Sequence, residues 1–280
     1  MKLFIHWDME GASGIHRRGQ TWYWEEGVSP AEKAEGLELI TADAISAVAA
    51  ALEAGVDQVI VCDTHTGGGN ILLDKVIRDP KVTWLGRSRG EENGKERWMP
   101  GLNETVDGLM LPGHHAKAGT PNAFLPHTQN LEWEDFQING MSVGEMGIET
   151  CFAGHWDIPV VLAQGDAAAC REAEAQFPGV VTAEVKQAVN HDSCTGLDPE
   201  AGRSLTAEKV KEAVAVLRTN PPKPFKPSLP MMVTIRMASV EGVERAMQMP
   251  GVRRIGDQTV EGTVERQCDI LKWITGTGIE

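Results

Sequence analysis

The sequence of 280 residues has no apolar run long enough to cross a bilayer, which predicts that no transmembrane helix is present. The apolar run near Leu3 is short and an acid soon follows it, which argues against a secretory signal segment. No basic patch accompanies the net charge of −14, so a nucleic acid partner is not expected. These absences leave a globular protein without a predicted membrane or nucleic acid partner.

Cysteine is scarce and its spacing follows no pattern. There are five cysteines at irregular positions, and no two of them form a C-x-x-C pair. This favours reduced thiols in the cytoplasm over disulfides or a thiolate metal site. The cysteines are Cys62, Cys151, Cys170, Cys194 and Cys268.

Apolar strands alternate with amphipathic helices along the chain. The predicted strands are residues 3–8, 58–63, 81–85, 108–111, 136–139, 160–163, 180–185, 231–237 and a segment around 260. The predicted helices are residues 31–54, 71–78, 144–155, 167–176, 205–218, 240–247 and a final helix ending near 274. This alternation predicts an α/β fold with a mostly parallel sheet covered by helices on both faces.

A proline-rich segment interrupts this alternation. Residues 220–230 read NPPKPFKPSLP, and five prolines in this stretch predict a stiff, extended linker. We therefore expect a larger α/β domain over residues 1–219 and a smaller C-terminal α/β appendage over residues 231–280. A polar loop is predicted over residues 87–100.

Carboxylates and imidazoles follow several of the predicted strands. Ligands of parallel sheets bind beyond the carboxyl ends of the strands, so these side chains are candidates for one site. Oxygen and nitrogen ligands without thiolates suit zinc, manganese or another first-row metal. The candidates are Asp8, Glu10, His65, His114, His115, His127 and Glu145.

The first strand ends in the sequence DMEG, in which Asp8 and Glu10 lie two residues apart. Alternate residues of a strand share a face, so both carboxylates are expected to point the same way. Paired metals lie about 3.5–4 Å apart, a separation that one carboxylate can bridge. The spacing therefore predicts that Asp8 and Glu10 form half of a metal site.

Each candidate also has a structural explanation when it is taken alone. Asp8 could cap a turn, Glu145 suits the first turn of a helix, and His127 could lie at the surface. Their joint placement at strand ends is what favours a common site. Four other histidines are expected to be structural: His6, His16, His155 and His191.

Several segments together resemble the zinc-dependent D-aminopeptidases of dipeptide-transport operons, which are self-compartmentalising metallopeptidases. The segments are DMEGASG from Asp8, DTH at His65, GHHAKAGTP at His115, PH at His127 and INGMSVGEMG at Glu145. The resemblance covers nearly the whole chain and includes VLAQGD at 161–166 and TAEVKQAV at 182–189.

The resemblance implies a site, a substrate and an assembly. Two zinc ions would be held by Asp8, Glu10, His65, His115 and Glu145. His127 would be the catalytic residue, acting as nucleophile or as base. The substrates would be short peptides or amino-acid amides with an N-terminal D-residue, and the assembly a ring-shaped homo-oligomer such as a decamer.

The aromatic cluster Trp22, Tyr23 and Trp24 falls outside the predicted sheet. Aromatic residues are enriched at the buried parts of subunit interfaces, so the cluster is one candidate for the contacts of an oligomer. Packing against the protein's own core is the alternative.

Two other classes of function fit part of the pattern. A strand followed by D-x-[DE] also occurs in Mg²⁺-dependent phosphatases of the haloacid-dehalogenase type, in which Asp8 would be the nucleophile. Histidines at strand ends argue against this class, because Mg²⁺ prefers oxygen ligands. A non-catalytic protein with a structural metal is the third possibility, although five ligands shared by two metals would leave open positions.

Overall fold

Two β-sheets form the framework of the protein, whose structure is a computed structural model that describes residues 1–86 and 98–271. The strands are β1 (Lys2–Trp7), β2 (Gln58–Asp63), β3 (Val82–Gly86), β4 (Gly108–His114), β5 (Trp133–Ile138), β6 (Met141–Val143), β7 (Val160–Asp166), β8 (Val181–Asn190), β9 (Ser193–Gly196), β10 (Met231–Met237), β11 (Val252–Arg254) and β12 (Thr259–Val264). The helices are α1 (Pro30–Glu53), α2 (Glu145–Gly154), α3 (Ala167–Gln176), α4 (Pro199–Thr219) and α5 (Val240–Ala246).

The larger sheet has the strand order β3-β2-β1-β4-β7-β8-β9. Its strands are parallel except for β9, which pairs antiparallel with β8. The chain starts at β1, builds β2 and β3 on one side, and then crosses to β4 on the other side. This reversal creates a crevice beyond the carboxyl ends of β1 and β4, where α/β proteins bind their ligands.

Side chains of β1 alternate between two apolar layers. Leu3 and Ile5 face a core that contains buried residues of α1 and α4, such as Val48 and Val210. Phe4 faces the opposite core, which contains buried residues of α2, α3 and the second sheet. The larger sheet is therefore covered on both faces, which explains why its inner strands are apolar at nearly every position.

Helix α4 begins earlier than its apolar pattern predicts. The side chain of Asp198 accepts hydrogen bonds from the amides of Glu200 and Ala201, both at 3.0 Å, and Pro199 occupies the first helical position. A capping aspartate followed by proline is a strong helix start. The sequence DPE at residues 198–200 therefore indicates the start of this helix, which the predicted range 205–218 missed.

The smaller sheet has the order β11-β12-β10-β5-β6 and is antiparallel. Its central strand β10 pairs with β5, with Ile235 opposite Phe136 and Val233 opposite Ile138. Strands on both sides of the proline-rich segment therefore share one sheet. The α/β fold with a separate smaller sheet is confirmed, and the division of the chain at residues 220–230 stays a prediction.

The helix predicted over residues 71–78 is wrong, because this segment forms turns. Its apolar spacing resembles that of a helix, and its ends are bonded to other parts of the chain. The amide of Ile71 donates to Asp63 at 2.9 Å, and that of Leu72 donates to Thr41 Oγ1 at 2.9 Å. The carbonyl of Ile77 accepts from a tryptophan side chain at 3.1 Å.

Two further predictions lie partly or wholly outside the described residues. They are the loop over 87–100, of which residues 98–100 are described, and the final helix near 274, of which the structure shows a 3₁₀ turn at Gln267–Leu271. Within the described ranges, no helix is both long enough and apolar enough to span a membrane.

Candidate metal centre

Three strand ends and one helix start bring the predicted ligands together beyond β1 and β4. Asp8 and Glu10 lie in the loop after β1, His65 follows β2, His115 follows β4, and Glu145 is the first residue of α2. All five side chains are buried. The sheet topology therefore places all five predicted ligands at the switch point.

The Asp8 carboxylate lies between two imidazoles. Its Oδ1 atom is 3.1 Å from Nδ1 of His65, and its Oδ2 atom is 3.4 Å from Nε2 of His115. A carboxylate that faces a different imidazole with each oxygen has the geometry of a bridging ligand for two metals.

A second carboxylate accompanies each imidazole. Glu10 Oε2 lies 3.2 Å from Nδ1 of His65, and Glu145 Oε1 lies 3.2 Å from Nε2 of His115. Ligand atoms around a tetrahedral cation with bonds of about 2.0–2.1 Å lie about 3.3–3.4 Å apart. The spacings within both groups are close to this value.

Backbone carbonyls fix the tautomers of both histidines. Nε2 of His65 donates to the carbonyl of Thr21 at 3.0 Å, and Nδ1 of His115 donates to the carbonyl of Ala116 at 3.0 Å. The other nitrogen of each neutral ring then directs a lone pair at two carboxylates. Lone pairs facing carboxylates repel each other unless a cation lies between them, and this is the arrangement that metal-bound histidines have.

Within the described part of the chain, two buried atoms of the cluster have no hydrogen-bond partner: Oε2 of Glu10 and Nε2 of His115. Buried polar atoms without a partner are rare in native proteins, and such atoms often contact a bound ion or water molecule. Both atoms are among the carboxylate oxygens and imidazole nitrogens that face one another in the cluster. The donor set and its two unpartnered atoms therefore fit divalent cations.

Electrostatics within the cluster is strongly coupled. Burial lowers the pKa of His65, but Glu10 and Asp8 outweigh burial and hold it well above its ordinary value; Glu145 and Asp8 do the same for His115. Burial raises the pKa of Asp8, but both histidines outweigh it and hold the pKa well below its usual range. Without metal, protons on the imidazoles balance the carboxylates.

His127 lies beside the cluster and differs from the other two histidines. Its ring stacks on that of His115 with centroids 3.8 Å apart, and its Nδ1 donates to the carbonyl of Leu125 at 2.8 Å. Burial and the positive charge of His115 lower the pKa of His127, so its ring is neutral. Its Nε2 lies 3.5 Å from Glu145 Oε1 and could bind a metal or a substrate proton.

Trp22 connects this histidine to the metal-ligand cluster, a role that the sequence did not reveal. Its indole N–H donates to Oε1 of Glu10 at 2.7 Å, which leaves Oε2 for a cation. Its ring meets that of His127 edge-on at 5.2 Å, and Arg18 lies 4.0 Å from the indole centroid. Trp22 is buried, whereas neighbouring Trp24 is 55% exposed beside His65.

Two glycines allow the ends of β1 and β4 to touch. A Cβ atom on Gly11 would lie 2.2 Å from the carbonyl oxygen of His114. A Cβ on Gly113, whose φ is +75°, would lie 2.0 Å from the carbonyl oxygen of Asp8. No larger residue fits at either position without backbone movement. This close approach sets the distance between Asp8 and His115.

Asp63 supports His65 through the backbone. The Asp63 carboxylate accepts from the Asn70 amide at 2.6 Å and from the Asn70 side chain at 2.9 Å. The Asn70 side chain also donates to the carbonyl of His65 at 2.6 Å. Asp63 therefore orders the loop that carries His65, and among the described residues it makes no hydrogen bond to the imidazole itself.

A second histidine–glutamate cluster lies behind the first and is fully buried. Glu149 Oε2 accepts from Nε2 of His114 at 2.8 Å and lies 3.1 Å from Nδ1 of His6. Trp98 donates to the other oxygen of Glu149 at 3.3 Å. The Glu149 carboxylate holds the pKa of His114 at about 9 against the effect of burial. The 2.8 Å contact is a charge-assisted hydrogen bond, so a proton accounts for the pair of His114 and Glu149, whereas both ring nitrogens of His6 lack a hydrogen-bond partner among the described residues.

A cavity of about 370 Å³ opens onto the first cluster. Its lining includes Glu10, His65, His127 and Glu145, with Trp22 and Trp24 among the walls. This volume lies within the range of small-molecule sites. A larger groove of about 940 Å³ beside the proline-rich segment includes no histidine, aspartate or glutamate in its lining. The chemistry therefore belongs to the smaller cavity.

These features define a metal-dependent hydrolase on an α/β fold. The chain belongs to the peptidase M55 family, described as D-aminopeptidase, which matches residues 1–275. It is 32% identical to a D-aminopeptidase of Bacillus subtilis (strain 168) over 263 residues, which are 93% of this chain and 90% of that protein.

A solved structure has the same fold. It is the Zn-dependent D-aminopeptidase DppA from Bacillus subtilis, described as a self-compartmentalizing protease. The TM-score is 0.87 at 29% identity, and the alignment covers 98% of this chain and 95% of that chain. The prediction of a D-aminopeptidase-like metallo-aminopeptidase is confirmed, and the phosphatase and non-catalytic alternatives lose their support.

The raised pKa values of His65 and His115 predict that metal binding depends on pH. A divalent cation must displace protons from both rings, so its apparent affinity should rise as pH increases. Isothermal titration of metal-free protein with zinc at pH 6, 7 and 8, in buffers of differing ionisation enthalpy, measures affinity and proton release. Equal affinity at all three values would contradict the proposed ligands, and the exposed His191→Asn variant should behave as wild type.

Proposed function

We propose that the protein is a dinuclear zinc aminopeptidase that hydrolyses short peptides or amino-acid amides with an N-terminal D-residue. The observation that carries this proposal is the Asp8 carboxylate, whose two oxygens face His65 and His115 separately. Family membership and the likeness to a Zn-dependent D-aminopeptidase support the metal and the substrate class.

The ligands divide into two groups that share Asp8. Glu10 and His65 would complete one zinc site, and His115 and Glu145 would complete the other. Bound zinc supplies Lewis-acid polarisation of a peptide carbonyl. The residues around it supply orientation, charge and a proton acceptor.

His127 is the residue that we propose to act on the substrate. Its ring is held by the Leu125 carbonyl and by stacking on His115, which leaves Nε2 directed at the cavity side of Glu145. A fixed, neutral imidazole nitrogen at that position can accept a proton or attack a carbonyl as nucleophile.

The cavity also suits a free amino group. The chain carries a net charge of −14. An acidic protein attracts the ammonium group of a short peptide. The volume of about 370 Å³ accommodates a few residues of a peptide and excludes a folded protein.

An assay with peptide stereoisomers tests this function. Zinc-loaded protein should cleave di- to tetrapeptides with an N-terminal D-residue faster than their L-counterparts, and a chelator should abolish the activity. Alkylation of thiols should leave activity largely intact, because all five cysteines are buried. Preference for the L-peptides would contradict the proposed stereochemistry, and activity in the presence of chelator would contradict a metal mechanism.

Asp8→Ala should lose both zinc ions and all peptidase activity, because both proposed sites share this carboxylate. His65→Ala should weaken one site and retain metal in the other. Metal analysis after gel filtration gives the stoichiometry, and Asp257→Ala, on an exposed turn, is the control. Two equivalents of zinc in Asp8→Ala would show that Asp8 does not bridge.

His127→Ala should retain zinc and lower kcat by about 10²–10⁴, the usual effect of losing a general acid or base. Metal analysis and steady-state kinetics on the same preparation separate the two effects. Simultaneous loss of zinc and rate would instead make His127 a metal ligand, which its position beside His115 and Glu145 permits.

We also propose that the protein works as a ring-shaped homo-oligomer, such as a decamer, in the cytoplasm. The solved relative is described as self-compartmentalizing. In the single chain, Trp24 and Leu131 at the cavity are 55% and 65% exposed, and large exposed apolar side chains often lie in interfaces. Enclosure of the cavity would also protect other cytoplasmic proteins.

Sedimentation velocity should therefore show a species several-fold heavier than the 30.4 kDa chain. The same species should cleave short peptides and leave folded proteins intact. Trp24→Ala with Leu131→Ala should shift the distribution towards smaller species if this surface is covered in the assembly. A wild-type monomer with full peptidase activity would exclude compartmentalisation.

A further inference from the structure

A fully buried lysine lies under the loop that carries Asp8 and Glu10. Lys186 belongs to β8 and its side chain is among the largest that are completely buried. Its ammonium donates to the carbonyl oxygens of Glu10 at 2.6 Å, Ala12 at 2.7 Å and Ile15 at 2.6 Å. An ammonium has three N–H donors, so these bonds use all of them.

The three hydrogen bonds of this lysine go to backbone carbonyls, and the centroid of the Phe124 ring lies 5.3 Å from its ammonium. Among the described residues it has no carboxylate within ion-pair distance, although burial of a charge normally requires such a partner. The three carbonyls converge on one point, and without a cation their dipoles would repel one another. The ammonium and the loop therefore stabilise each other.

Near Glu10, the loop between β1 and α1 is also held by Trp22, which donates to the Glu10 carboxylate, and by backbone bonds of Gly11 and Ala12. It contains turns and a short 3₁₀ segment in place of long regular elements. Asp43 holds its far side, by accepting from the amide of Ser13 at 2.8 Å. Lys186 donates to the carbonyl of Glu10, and the amide of the adjacent Gly11 donates to the carbonyl of Gly113 at 2.6 Å.

We propose that Lys186 is a positioning residue that holds the Glu10 backbone so that its carboxylate meets His65. The inference rests on the proposed zinc ligands. Loss of the ammonium should weaken the site that contains Glu10 and His65 much more than the site that contains His115 and Glu145, because β4 and α2 position the latter pair.

The first test compares Lys186→Met with Lys211→Met, which removes an exposed lysine paired with Glu53. Zinc titration of the metal-free variants should show one affinity weakened about 10- to 100-fold in Lys186→Met, the usual effect of removing a group that supports a ligand. The other affinity and both affinities of Lys211→Met should match wild type.

Hydrogen exchange in metal-free protein gives a second readout that does not require zinc. In Lys186→Met the amides of residues 10–15 should exchange faster, while those of β1 and α2 keep wild-type rates. Unchanged exchange and two wild-type affinities would overturn the proposal. Equal weakening of both sites with general loss of protection would also overturn it, because Lys186 would then only support the core.

Chemical rescue keeps the proposal testable if Lys186→Met does not fold. Lys186→Ala removes the carbons and the ammonium that n-propylammonium can replace. This amine should restore the weakened zinc site, whereas tetramethylammonium, which has no N–H donor, should not. Equal effects of the two amines, or a variant that stays insoluble with both, would overturn the proposal.

The outcomes separate this proposal from the proposed function. Wild-type protein that binds no zinc would contradict the function, and the exchange rates of residues 10–15 would still decide whether Lys186 holds the loop. Wild-type protein with two zincs and an unaffected Lys186→Met variant would leave the function standing and remove the role of Lys186.

Discussion

The candidate centre depends on one carboxylate that lies between two imidazoles. Asp8 can face both His65 and His115 because β1 lies between β2 and β4 in the parallel sheet. Neighbouring strands are about 4.8 Å apart, so residues leaving three adjacent strand ends can meet around one group. The ends of β1 and β4 approach further because Gly11 and Gly113 have no side chain. The spacing of the ligands is therefore a property of the backbone.

The polar groups beneath the centre restrain the same loops from inside the protein. Gln164 accepts from the amide of Gly113 at 2.8 Å and donates to the carboxylate of Asp43 at 2.8 Å. Because Asp43 also accepts from the amide of Ser13, these bonds link the end of β4, next to His115, to the loop after β1. Lys186 holds the latter loop at three carbonyls. A buried network whose members bond to backbone atoms rigidifies the loops above it. Metal ligands on irregular loops can thus be as well positioned as ligands on helices.

Sequence patterns predicted the parallel sheet and indicated which side chains would meet beyond its strands, because both depend on local signals. Apolar runs marked the strands, and acids or histidines at their ends marked the site. Residues whose roles depend on distant contacts were missed: Lys186 lies 176 positions from its partner Glu10, and nothing in TAEVKQAV shows that this side chain is buried. The false helix over residues 71–78 also depends on distant contacts, since Asp63 and Thr41 accept from the amides of Ile71 and Leu72 and fix the start of this segment.

The two histidine–glutamate clusters show why residue type alone does not define a metal site. Each takes a glutamate from α2 and a histidine from the β4 end: Glu145 with His115, and Glu149 with His114. In the first pair the nitrogen and oxygen are 3.2 Å apart beside a cavity, and unpartnered atoms face inward. In the second they are 2.8 Å apart in the core, which is the length of a charge-assisted hydrogen bond and shorter than the ligand spacing of about 3.3–3.4 Å in a tetrahedral zinc site. His6, predicted to be structural, lies in this second cluster. Neighbouring side chains of an extended segment point to opposite sides, so His115 joins the candidate metal centre while His114 connects the end of β4 to Glu149 of α2.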